Sequence, residues 1–154
     1  MYSRKEHAER IVTTFGFDCV SCRTAILRDT NAPDIGAVYV GQRDNGLYKI
    51  GATTSSPILH LRELSQATRR EHTLVHTIAV LDSRALESHL HRRLDAFLDD
   101  RRQWYALSPA VLKAICAENH FCDVPPSYLM APTTNSALYR YLRGIENAIG
   151  AGAS

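Results

Sequence analysis

Two short runs decide the fold: Gly36-Ala37-Val38-Tyr39-Val40 and Leu47-Tyr48-Lys49-Ile50-Gly51. Both are rich in β-branched and aromatic residues, which suit a pleated, half-buried surface. Between them lies Arg43-Asp44-Asn45-Gly46, and Asn-Gly is the strongest short hairpin signal because both residues accept a positive φ. The two runs are therefore expected to pair antiparallel. Side chains alternate along a strand, so Lys49 should face opposite to Tyr48.

Outward from the hairpin, the C-terminal side continues with Thr54-Ser55-Ser56-Pro57, which carries helix N-cap chemistry. A helix is expected over 57–68, with Leu61 and Leu64 apolar. His72–Leu81 reads as a third strand. Asp82 or Ser83 caps a helix from about Arg84 to Phe97, with Leu86, Leu90, Leu94 and Phe97 as its apolar stripe. Gln103-Trp104-Tyr105-Ala106 is short and extended, with Trp104 a core residue. Ser108-Pro109 opens a helix reaching about Asn119. Asp123–Asn135 reads as a linker, Ser136–Ile149 as a last helix, and Gly150–Ser154 as a frayed tail.

On the N-terminal side, residues 3–15 form a helical pattern with Ala8, Ile11, Val12 and Phe15 on one face, ended by Gly16. A second short helix follows Ser21, with Ala25 and Leu27 apolar. Asn31-Ala32-Pro33-Asp34 is a turn cluster. The whole predicts an α+β fold: a small antiparallel sheet, made of the hairpin and a third strand, flanked by helices and extended by helices at both ends. The expected division is a helical extension (1–33), a central domain (34–122), and a linker with C-terminal helix (123–154).

Bulk properties narrow the function. The chain of 154 residues is 45% hydrophobic and 22% charged, enough apolar material for one core. No apolar run approaches the ~20 residues that cross a bilayer, so no membrane role is expected. The first ten residues lack the apolar stretch of a signal peptide, so a cytoplasmic location is expected. A net charge of +2 excludes a histone-like binder. Local basic pairs, Arg69-Arg70, Arg92-Arg93 and Arg101-Arg102, could still contact phosphates, or form an ordinary solvated surface.

Four cysteines stand at 19, 22, 116 and 122. Cys19-Val20-Ser21-Cys22 has metal-ligand spacing, and Cys116 to Cys122 encloses His120. A tetrahedral zinc site could join these two ends. Buried thiols are the commoner use of cysteine, and both readings stand.

The hairpin halves, together with Ala85-Leu86-Glu87-Ser88-His89-Leu90-His91 and Trp104-Tyr105-Ala106-Leu107-Ser108, resemble the GIY-YIG endonuclease superfamily. The Tyr-Lys-Ile-Gly form is similar to its phage-type DNA-binding branch, named after a coliphage reading frame. The likeness covers about residues 36–115. It implies divalent-metal-assisted hydrolysis of a phosphodiester in DNA, with Mg²⁺ or Mn²⁺ held by Glu87. It places Tyr39 and Tyr48 beside the cleft, with Tyr48 or a nearby histidine handling the attacking water. Glu87 and His91 are four residues apart and share a helix face. Lys49, Arg69, Arg70, Arg92 and Arg93 are the candidate nucleic-acid contacts.

Two departures bear on catalysis. Ala52 stands where this branch has an arginine after the motif glycine. Leu59 and His60 stand where it has an arginine pair, which leaves His60 or Arg62 as the substitute for a phosphate clamp. The expected function is a metal-dependent DNA endonuclease. The alternatives are a binding module that kept the fold and lost turnover, and a partner-binding protein that uses its flanking helices.

Overall fold

The computed structural model describes residues 3–100, 104–122, 124–125 and 131–152. The Arg101-Arg102 pair, Gln103 and much of the expected linker lie outside them. The elements run α1 (Arg4–Phe15), α2 (Val20–Arg28), β1 (Gly36–Arg43), β2 (Tyr48–Thr53), α3 (Pro57–Thr68), β3 (His72–Val80), α4 (Ser83–Leu94) and a 3₁₀ turn (Asp95–Phe97). They continue with β4 (Leu98–Asp100), β5 (Trp104–Tyr105), α5 (Pro109–Ile115), β6 (His120–Phe121) and α6 (Ala137–Gly152).

The architecture is α+β. Among the described residues, six strands form one mixed sheet in the order β4-β5-β2-β1-β3-β6. The hairpin and third strand make its centre: β1 lies antiparallel between β2 and β3, with Tyr39 opposite Gly51 and Val40 opposite Ile50. Gly46 takes φ +88° in the turn, a conformation that costs glycine nothing. The sheet is larger than the sequence suggested because β4, β5 and β6 are two or three residues long, too short to show a period. β6 adds to β3 in parallel. It also explains why α5 ends at Ile115 and not near Asn119: His120 and Phe121 leave the helix path to pair with Ala79 and Val80.

Alternation sorts the sheet into two faces. One buries Val38, Val40, Ile50, Ile78 and Val80 against Leu86, Leu90 and Leu94 of α4 and against α5 and α6. Half-buried Tyr48 and Phe97 pack on this core too. α6 runs on to Gly152, past the expected end, with Ala148 and Ile149 on the same core. The other face carries a smaller core where α1 and α2 bring Ala8, Phe17, Cys22 and Ile26 onto Ile35 and Ala79. In α2 the buried residues are Cys22 and Ile26, both fully inaccessible, whereas Leu27, expected as an apolar position of this helix, is 45% exposed.

Gly51 is required by close approach. A Cβ there would lie 2.5 Å from the Tyr39 hydroxyl oxygen and 2.6 Å from the ring carbon bearing it. Tyr39 is 1% exposed and cannot swing away. Gly51→Ala should therefore destabilise the domain by about 1–3 kcal/mol, the usual cost of overpacking. Urea unfolding of wild type and variant checks this; an unchanged midpoint would show that the Tyr39 ring does not lie on this glycine.

Candidate functional site

The site is built at the edge of β2. Backbone groups of a strand alternate in direction, so Ile50 and Ala52 point the same way, outward from β1. Among the described residues of β2, only Tyr48 and Lys49 pair with β5. Beyond that point α4 supplies the partners. The Ala52 N–H donates to Glu87 Oε2 at 2.6 Å, and His91 Nε2 lies 2.7 Å from the Ile50 carbonyl, to which it donates. Glu87 and His91 share a helix face, as their spacing requires, and together fasten α4 along β2.

This contact sets a carboxylate on the rim of the sheet face that carries Tyr39, Lys49 and Gly51. Burial pushes the Tyr39 phenol up to about 12, and the Glu87 charge adds to that. Burial lowers Lys49, while Glu87 draws it back up. From α3, half-buried His60 lays its ring against Tyr39, centroids 5.4 Å apart. Ser56 caps this helix and Pro57 starts it, so local sequence fixes where His60 arrives.

The structure does not bring every expected residue together. Tyr48 stands opposite Tyr105 and packs on the main core, on the face away from Tyr39. The strand-period argument, applied to Tyr39, puts Lys49 beside it instead. Arg62 is exposed on α3. Arg69, at φ +56°, ends α3 and is exposed. Arg70 is exposed and pairs with Asp44 at 3.5 Å. Arg92 is exposed beside Glu87, His91 and Asp95, which line an open depression with Ser88. Arg93 points elsewhere: its guanidinium bonds the His89 carbonyl and pairs with Glu146 of α6 at 3.3 Å. An ion pair to α6 occupies the charge that the sequence had suggested for phosphate.

Sequence reasoning missed Arg43. Its guanidinium lies 4.4 Å from the centroid of Trp104, with the Lys49 ammonium 5.6 Å from the same ring. Trp104 itself is 4% exposed, a core residue as expected. The hairpin register that sets these cations around one indole leaves no trace in periodicity.

A second cluster lies where α2 meets β6. Ligand atoms of Cys19, Cys22, His120 and Cys122 all lie within 4.8 Å of one another, a set that could hold a metal ion. Cys116 is not among them; it sits at the end of α5, where burial raises its thiol. The pairing of Cys19-x-x-Cys22 with the distant segment is therefore made through His120 and Cys122.

Residues 36–120 match the model of the T5orf172 domain, and the chain belongs to that family. A search of curated proteins and a search of solved structures each returned no match. Among the described residues, no helix is long and apolar enough to cross a membrane.

Buried Tyr39 makes a pH prediction. Its folded value near 12 stands above the ordinary 10. The neutral phenol thus contributes stability that is complete below pH 10 and lost as pH climbs through 12. Tyr39→Phe should lose less stability than wild type between pH 9 and pH 11 in urea unfolding. Equal losses would place an accessible hydroxyl at residue 39.

Proposed function

We propose that this chain is a GIY-YIG-type endonuclease that binds DNA and hydrolyses its phosphodiester bonds with Mg²⁺ or Mn²⁺, the unit being residues 34–122. The observation that supports this reading is the convergence of Glu87, Tyr39, Lys49 and His60 around Gly51. Family membership supports a nucleic-acid role in the same region.

The residues fit a hard divalent ion. Glu87 offers a half-buried carboxylate on an open depression that also includes Asp95, and such ions take carboxylate oxygens while keeping several waters. Glu87 would hold the ion, which when bound neutralises phosphate charge and stabilises the leaving oxygen. The chain's own groups do the rest. His60 accepts the proton of the attacking water on a ring nitrogen. The Tyr39 phenol stays protonated at working pH and, buried against Gly51, positions the His60 ring that packs on it. Lys49 supplies positive charge on the same face. Arg62, Arg69, Arg70 and Arg92, all exposed, carry the flanking backbone.

A binding module with lost turnover is the second reading. It is favoured by one observation: Ala52 follows the motif glycine, and its N–H already engages Glu87. The test is incubation of the full chain with plasmid DNA and Mn²⁺, against EDTA. Wild type should cleave; Glu87→Gln, which retains an acceptor for the Ala52 N–H, should abolish cleavage while leaving DNA affinity within a few-fold. His60→Ala should lower the rate by about 10²–10⁴-fold, the usual worth of a general base. Wild type inactive with every divalent ion but still binding DNA establishes the second reading. In either case affinity should fall steeply with salt as counterions are exchanged; binding flat between low and moderate salt would remove the arginines from the account.

A further inference from the structure

We propose that Cys19, Cys22, His120 and Cys122 form a structural zinc site that fastens the N-terminal helices to the sheet. The inference is independent of the nuclease reading and lies on a different part of the molecule.

Two local periods create the cluster. Cys19 is the N-cap of α2 and Cys22 lies in its first turn, so residues three apart share one helix face. His120 and Cys122 are two apart where β6 ends, and residues i and i+2 leave a strand on the same side. His120 pairs with Ala79, which belongs to the smaller core under α1 and α2. The two pairs therefore meet across that core. Cys122 Sγ lies 3.1 Å from Cys19 Sγ, 3.2 Å from Cys22 Sγ and 3.9 Å from His120 Nε2. Zinc with Zn–S bonds of about 2.3 Å defines a tetrahedron with edges of about 3.8 Å. Movements of a few tenths of an ångström bring the sulfurs to it.

The chemistry of the set selects the ion. Three thiolates and one imidazole are soft and borderline donors that hard cations avoid, whereas zinc takes them readily. Four protein ligands fill its tetrahedral shell and leave no position for substrate, which marks a structural and not a catalytic ion. The sulfurs ligate as thiolates, so each thiol that binds releases its proton to solvent. The α2 N-terminus, whose Ser21 and Cys22 N–H groups face the Cys19 sulfur, favours that negative charge. A disulfide is the competing use of the same atoms. It would engage two sulfurs and leave the third, together with His120, without a role; a metal engages all four. The link also ties chain positions 103 residues apart, and closing a loop of that length restricts the unfolded chain strongly.

The test uses the full chain, purified under reducing conditions, stripped with chelator and titrated with Zn²⁺ against a chromophoric chelator. Wild type should take up about one zinc per chain, and with Co²⁺ in its place should show the intense visible bands of a tetrahedral thiolate site. Chelation should lower the melting temperature by several degrees, and zinc should restore it. Cys116→Ser should bind like wild type, whereas Cys22→Ser and Cys122→Ser should each lower zinc affinity by at least 10²-fold or so. Should those two variants fail to fold, the wild-type stoichiometry and cobalt spectrum decide alone. Absence of stoichiometric zinc, an octahedral cobalt spectrum, a different metal bound preferentially, or a disulfide among these cysteines in mass spectrometry of the untreated protein would each overturn the proposal.

Discussion

The outer edge of β2 needs partners for Ile50 and Ala52, and α4 provides them with His91 and Glu87. An edge strand with unmet backbone groups invites pairing with another chain, so covering it has a structural value of its own. Here the covering groups are an imidazole and a carboxylate, each able to do chemistry. A charge-assisted bond from a backbone N–H to a carboxylate is about twice as strong as a neutral one. It fixes the Glu87 position against the sheet more firmly than helix packing alone would. The candidate site depends on that fixation: without it the carboxylate has no reason to stand beside Tyr39 and Lys49.

The two faces of the sheet divide the labour. The face toward α4, α5 and α6 holds the main core. The other is covered at one end by α1 and α2 and along its middle by α3, where Leu61 meets Gly41 and His60 meets Tyr39. Gly51 lets the Tyr39 ring lie flat on the strand beside it, so two residues 12 apart in sequence behave as one packed unit. The cations Arg43 and Lys49 add to this face around Trp104, an attraction of about 0.5–2 kcal/mol per pair.

Much of this was legible in the sequence, for definite reasons. Asn45-Gly46 set the hairpin, and Ser56-Pro57 and Asp82 set the starts of α3 and α4 through caps that the structure retains. The four-residue spacing of Glu87 and His91 put both on one face. What stayed hidden depends on register and on long-range contact. The family resemblance made Tyr48 the companion of Tyr39, but strand alternation turns it to the main core and offers Lys49 instead. Arg93 looked like a surface cation until α6 brought Glu146 to it. The cysteine spacing suggested a joined pair of ends, yet only the parallel pairing of β6 with β3 shows that Cys122 and His120, and not Cys116, meet Cys19 and Cys22. A two-residue strand has no period to read.

The central claim is that the divalent ion sits at the β2 edge. Amide NMR of the nitrogen-labelled, zinc-loaded chain, titrated with substoichiometric Mn²⁺, tests it directly, because paramagnetic broadening falls off steeply with distance. The account predicts that the Gly51, Ala52, Glu87 and Ser88 amides fade first, with Cys22 and His120 unaffected. Broadening centred elsewhere, or none at millimolar Mn²⁺, would contradict it.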